Sequence, residues 1–245
     1  MKRGYFIMDG VDSETLNLFI QRAPLLETPN RRVQLKNAFG VSGGVPFDEQ
    51  AYDNTEMQLL MFVDGKDKNK DREKVDSLLR NTGVFKEFVP YFDPTKTYYV
   101  MANQGIKYES PNWYEERQAL EVIFTVKPYK YLRGVSDVTF TSSTNLTNPF
   151  INDVSQPIIT IIGTGDATLR VNGVDYRVRN IDAQITIDSE RYLTYKKNPS
   201  GLIVNANEKY LQKNYPIFSP GVNSINVTGS GVTQVRIEPR WRSLS

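Results

Sequence analysis

Leu169-Arg-Val171, Asn172-Gly173 and Val174-Asp-Tyr176-Arg-Val178 alternate apolar and polar residues on both sides of an Asn-Gly pair. A period of two puts alternate side chains on opposite faces of a strand. Asn-Gly tolerates the positive φ angles of a type I′ turn, so this segment predicts a two-residue hairpin. The rest of the second half follows the same pattern. Pro157 to Ile162 reads as an apolar strand, Gly163-Thr-Gly165-Asp166 as a turn, and Gln184 to Asp188 as a strand alternating through Ile185 and Ile187. Short strands at this spacing with turn residues between them predict a β-sandwich.

Two further alternating segments close the chain. In Val222–Thr228 and Val232–Glu238, residues Ile225, Val227, Val235 and Ile237 fall on one side, with polar residues opposite. Gly229-Ser230-Gly231 between them predicts a closing β-hairpin. The run ends in Pro239-Arg240-Trp241-Arg242. An indole between two guanidiniums predicts an anchoring contact with another surface, or a partly buried Trp at the end of the hairpin.

The first half is also β-rich. Tyr5–Met8 is a short apolar run ended by Asp9-Gly10, and Leu16, Leu18 and Ile20 alternate with Thr15, Asn17 and Gln21. Val33 and Leu35 mark a strand after Arg31-Arg32, whose charges read as a solvated face. Gly40–Pro46 reads as a flexible loop. Met57–Val63 is nearly all apolar, as in a central strand. The longest alternating strand places Leu120, Val122, Phe124 and Val126 inward and Glu121, Thr125 and Lys127 outward. One helix stands out over Asp71–Asn81, with Val75, Leu78 and Leu79 on one face, Asp67 or Asn69 as cap and Thr82-Gly83 at its end. Polar, uncharged Thr139–Pro149 reads as a loop-rich stretch, which puts a domain boundary near Arg133.

Chemistry is limited by what is missing. The chain of 245 residues has no Cys and no His. Disulfides, a thiol nucleophile, a Ser-His-Asp triad and Cys- or His-ligated metal are therefore excluded. A net charge of +2 provides no basic stripe for nucleic acid. No stretch reaches 18 apolar residues, so no transmembrane helix is expected, and Met1–Asp9 lacks the pattern of a signal peptide.

Several local matches also fail. Gly40–Pro46 lacks the Gly-Lys-Ser/Thr ending of a phosphate loop. Gly163-x-Gly165 is followed by a strand where a dinucleotide site needs a helix. Asp67–Asp71 resembles the start of a calcium loop, but Arg72 and Leu78 stand where Gly and a bidentate Glu belong. Glu115 and Glu116 are strand neighbours that point to opposite faces, so they cannot flank one glycosidic bond. No cofactor and no enzymatic activity are expected.

Asn205-x-Asn207, Tyr215-Pro216, Pro220-Gly-x-Asn-x-Ile225, Thr228-Gly229 and the terminal Pro-Arg-Trp-Arg come in an order that resembles siphophage distal tail proteins. Pro157–Gly163, Ala167–Gly173 and Ile185–Glu190 extend the likeness across most of the second half. The resemblance implies an all-β chain with one short α-helix: an N-terminal β-sandwich or split-barrel belt domain over 1–133, then a galectin-like β-sandwich over 134–245. It implies a structural virion protein at the distal end of the tail, made in the bacterial host cytoplasm. Six copies would form a ring, single or as two stacked rings, that lets DNA pass. Its implied partners are the tail tube protein, the tape-measure protein, the tail-tip or tail-associated lysin protein, and receptor-binding or baseplate proteins. Specific nucleic-acid binding and membrane insertion are not expected. Arg240, Trp241 and Arg242 are the interaction candidates. The alternative is a carbohydrate-binding module for host cell-wall glycans, with Tyr192, Tyr195, Tyr210 and Tyr215 as its aromatic face. A glycan hydrolase, a third reading, lacks an acid/base pair.

Overall fold

The computed structural model describes residues 2–64, 68–80, 82–109, 117–198 and 200–245. The expected helix cap Asp67 and the Glu115-Glu116 pair lie outside them. The chain is all-β with one α-helix. It divides into two compact units, residues 1–133 with Leu244–Ser245, and Gly134–Ser243.

In the first unit the strands are β1 (Phe6–Met8), β2 (Val11–Asp12), β3 (Leu18–Ile20), β4 (Arg31–Asn37), β5 (Gly44–Tyr52) and β6 (Thr55–Asp64). Helix α1 (Lys68–Leu79) precedes β7 (Lys86–Pro90), β8 (Lys96–Ala102), β9 (Lys107–Tyr108), β10 (Arg117–Val126) and β11 (Tyr129–Leu132). The main sheet runs β2-β1-β7-β8-β10-β6-β3, with β9 on β10 and β11 on β8. It curls into a half-barrel. Its ends approach closely enough for the Ile20 N–H to donate to the Gly4 carbonyl at 2.7 Å. Asp9 and Gly10 both take positive φ, 47° and 80°, and turn β1 into β2. Thr15 and Leu16 belong to a 3₁₀ turn (Ser13–Leu16) rather than to a strand. Asp12 caps the turn, and Asn17 leaves it in the left-handed region.

The alternation read in Met57–Val63 and Leu120–Val126 becomes the core. β6 and β10 pair along their whole length, from Arg117 opposite Asp64 to Val126 opposite Thr55. Met57, Leu59, Met61, Leu120, Val122 and Phe124 are all buried on one side. Phe88 stacks between Phe6 and Phe124, at centroid distances of 5.3 and 5.9 Å. Val75 and Leu79 of α1 join this cluster, while Leu78 packs at its edge. Burying each such side chain contributes about 1.5–3 kcal/mol. The Lys86 ammonium donates to the Leu78 carbonyl at 2.6 Å and satisfies an otherwise open helix end.

The second unit holds β12 (Val138–Phe140), β13 (Ser143–Asn148), β14 (Ile158–Gly163), β15 (Gly165–Val171), β16 (Val174–Ile181), β17 (Gln184–Asp188) and β18 (Leu193–Lys197). It ends with β19 (Ile203–Asn205), β20 (Gly221–Thr228) and β21 (Val232–Glu238). Two sheets form the sandwich, β12-β21-β14-β17-β18-β19 and β13-β20-β15-β16. Asn172 and Gly173 take φ of 51° and 84°, and Val171 faces Val174, as the hairpin reading requires. Two expectations are corrected. Thr139–Pro149 is mainly strand: β12 pairs with β21 and β13 with β20. β20 and β21 are not a hairpin, because β20 pairs with β13 and β15 while β21 pairs with β12 and β14. Residues 229–231 therefore carry the chain from one sheet to the other. Both inner faces, Ile225 and Val227 on one and Val235 and Ile237 on the other, remain buried.

Candidate functional site

The C-terminal Pro-Arg-Trp-Arg run is engaged within the second unit. Trp241 is only 7% exposed, and its ring lies 5.6 Å from that of buried Phe218. The Arg240 guanidinium reaches three carboxylates: Asp188 and Glu190 at 3.1 Å and Glu238 at 3.3 Å. Burial alone would lower the pKa of Arg240, but Asp188, Glu190 and Glu238 together hold it above its usual range. The Asp188 carboxylate is almost fully buried and also accepts the N–H groups of Glu190 and Arg191. Arg242 donates to the Val154 carbonyl at 3.0 Å and to the Gln156 side-chain oxygen at 2.7 Å. Between these side chains, the buried Ser155 hydroxyl bonds to the carbonyls of Pro239 and Arg240. The three residues fasten the last strand of the sandwich to the segment around Val154–Gln156.

Other residues of the resemblance motifs act in the same way. Asn223 is fully buried, donates to the carbonyls of Ser219 and Gly221, and accepts from the Ser219 N–H and the Asn172 amide. Asn205 accepts from the Asn207 N–H, and Asn207 from the Thr194 N–H. These asparagines replace backbone partners where the strands end. The spacing of such residues gives no hint of these bonds, nor that Asn223 is buried while Asn205 and Asn207 are exposed.

The four tyrosines do not present one aromatic face. Tyr195 and Tyr210 are buried, and Tyr215 is half-buried against Tyr210 at 4.7 Å. Tyr192 alone is well exposed, edge-on to Tyr215 at 5.5 Å. Burial pushes the Tyr210 phenol far above its ordinary range, and its hydroxyl donates to the Asn214 carbonyl at 2.6 Å.

The surface that stands out lies in the first unit. Among the described residues β4 and β5 pair only with each other, and Leu35 (73% exposed), Val33, Val45 and Phe47 are all exposed. Paired residues share a face, so Val33, Leu35 and Pro46 line one side while Phe47 and Val45 line the other. Phe39 at the tip is entirely exposed. Of the region read as a flexible loop, Gly44–Pro46 is strand and only the residues before it form the tip. Arg31 and Arg32, read as solvated, hold the base of this ribbon. Arg31 forks onto Asp48 at 2.6–3.0 Å, and Arg32 meets Asp53 at 2.7 Å. The Arg31 guanidinium holds the Asp48 carboxyl below its usual range.

A groove of about 640 Å³ also opens in the first unit. One wall is the extended segment 22–27, and the other is the outer face of β6 and β10, with Leu60, Gln58, Glu56 and Ile123.

No protein-family model and no curated protein sequence matches the chain. A structural match does exist. The fold is similar to that of the SPP1 Dit (gp 19.1) protein, described as a paradigm of the hub adsorption apparatus in phages that infect Gram-positive bacteria. The match has a TM-score of 0.68 at 16% identity, covering 97% of this chain and 99% of the other. The two chains thus share a fold along almost their whole length.

Proposed function

We propose that this chain is the distal tail protein of a phage or prophage, a structural hub in the virion. The whole-chain fold likeness to a tail hub protein carries this reading. A partial match would be compatible with a borrowed sandwich domain, whereas this one spans both units in order. Residues 1–133 serve as the ring-forming belt and residues 134–245 as the galectin-like domain. Six copies of 28.0 kDa give a ring of about 168 kDa. Head-to-tail contacts between unlike surfaces close into a ring when the rotation fits. The ring joins the tail tube to the adhesion device and passes DNA without gripping it, in keeping with a net charge of only +2. The glycan-binding alternative has less support, because a single exposed ring, Tyr192, replaces the face of four that it needs.

Light scattering and negative-stain imaging of the purified protein test this reading. Rings with an open centre and six-fold symmetry are the expected result. Monomers alone at all accessible concentrations would overturn the self-assembling ring.

A further inference from the structure

We propose that the cleft between helix α1 and the turn from β8 to β9 binds an acidic, extended segment of a partner protein, with Arg72 and Arg80 taking its carboxylates. The inference does not depend on the ring reading above.

The cleft has a volume of about 390 Å³, within the roughly 300–1,000 Å³ of ligand sites. Its helix wall carries Arg72, Asp76 and Arg80 over buried Leu79, and its other wall includes Gly105 and Tyr108.

Arg72 is prepared for an anion. Its guanidinium lies over the Tyr108 ring at 4.1 Å. The ring takes one face of the planar group, and the N–H edge is left to fork onto a carboxylate. Among the described residues its one carboxylate neighbour is Asp76, 4.0 Å from Nε. Asp76 is engaged elsewhere, since it accepts the Tyr108 hydroxyl at 2.5 Å. Burial and Asp76 raise the Tyr108 pKa, so the phenol keeps this proton at neutral pH. Arg80 has no carboxylate partner among the described residues.

The spacing of the two arginines favours a segment over one small anion. The Arg80 N–H donates to the Asp76 carbonyl at 2.8 Å and so continues the last helical turn. Eight residues of helix put the two side chains about 12 Å apart where they leave the backbone. At about 3.3 Å per residue, this is the reach of three to four residues of extended chain. A segment of that length with two acidic residues can meet both arginines. The helix C-terminus, whose carbonyls would repel an anion, is covered. The Lys86 ammonium takes the Leu78 and Arg80 carbonyls at 2.6 and 3.3 Å.

Gly105 is an independent sign. Its φ lies outside the left-handed region, and a Cβ there would meet nothing within 4 Å. Neither backbone nor packing demands a glycine at this position. Its missing side chain leaves open space at the cleft wall.

Fluorescence anisotropy with a dansyl-labelled pentapeptide alternating leucine and glutamate tests the site. The chain should bind this peptide and ignore its counterpart with glutamine in place of glutamate. Arg72→Gln combined with Arg80→Gln should weaken binding at least tenfold. Arg72→Lys should also lose most of the affinity, because an ammonium cannot fork or stack as a guanidinium does. Gly105→Trp should weaken binding as much, with an unchanged melting temperature. Arg177→Gln, at an exposed position of β16 in the second unit, should change nothing. No binding, equal binding of the glutamine peptide, or full binding by Gly105→Trp would overturn the site. Displacement by free glutamate at the same concentration as the peptide would overturn a protein segment as the occupant. The readout works on monomer or ring, so its failure leaves the hub reading standing.

Discussion

Gly163 and Gly231 lie backbone to backbone where β14 meets the crossing between the two sheets. The Thr164 N–H donates to the Gly231 carbonyl at 3.0 Å. A side chain on Gly163 would overlap that same carbonyl oxygen and stand 2.8 Å from the Val232 Cα. Gly231 is just as confined, since a Cβ there would overlap the Thr164 carbonyl and come within 2.8 Å of its hydroxyl. The Gly163-x-Gly165 pair that imitates a nucleotide fingerprint is thus half explained by this close approach.

The first prediction is a contrast among glycines. Gly163→Ala and Gly231→Ala should each lower stability by about 3 kcal/mol or more, because backbone has to move. Gly165→Asn should cost about 1 kcal/mol or less, since only its φ of 79° is strained and nothing lies within 4 Å. Urea denaturation of the three variants measures the difference.

Arg240 should prove to be a lock on the buried Asp188 carboxylate. Arg240→Ala leaves that buried carboxylate with only the exposed Arg191, at 3.8 Å, and should cost about 3 kcal/mol. Adding Asp188→Asn should recover part of the loss. Trp241→Ala should cost about 3–5 kcal/mol through the cavity left beside Phe218. A double-mutant cycle in which Arg240 and Asp188 are simply additive would rule out the lock.

Asn223→Ala should be unusually costly for one small polar residue, about 2–3 kcal/mol. It orphans the Ser219 N–H and the Asn172 amide together. Thermal unfolding compared with Asn226→Ala, on the exposed face of the same strand, checks this.

Alkaline titration should show tyrosines that lag. Burial raises the phenols of Tyr98, Tyr108, Tyr176, Tyr195 and Tyr210 above the ordinary value of 10.0. The folded pKa values are above the unfolded ones. Their contribution to stability is therefore complete below pH 10 and declines as pH rises beyond it. Phenolate absorbance should still account for fewer than all 14 tyrosines at about pH 11.5, where a phenol of ordinary pKa is almost fully ionised, the rest appearing at higher pH or as the chain unfolds.

The ribbon should loosen in acid. Asp48 has a depressed folded pKa, so its hold on Arg31 is complete above the usual carboxylate value of 3.8 and is lost as pH falls through the folded value. Amide exchange in β4 and β5 should accelerate there before exchange in β6 and β10 does.

Periodicity along the chain was enough to find most strands here, because a half-buried strand must alternate and Asn172-Gly173 must turn. It also identified the inward sets Leu120–Val126 and Ile225–Ile237, since which side is apolar is a local property. The amphipathic face of α1 was legible for the same reason. Pairing partners were not. β20 and β21 look like a hairpin because they are adjacent, and only the two-sheet arrangement sends them apart. Polar β12 and β13 escaped notice, as strands whose side chains are mostly solvated carry no apolar period. Nor does spacing distinguish an anchor from a lock. Arg240, Trp241 and Arg242 are defined by Asp188, Phe218 and Val154, which lie far from them in sequence. The exposed ribbon reverses the case: Val33, Leu35, Val45 and Phe47 look like core residues, and only the fold leaves them in water. Alternation records which side chains avoid water, whereas the other surface that covers them is chosen by long-range contacts.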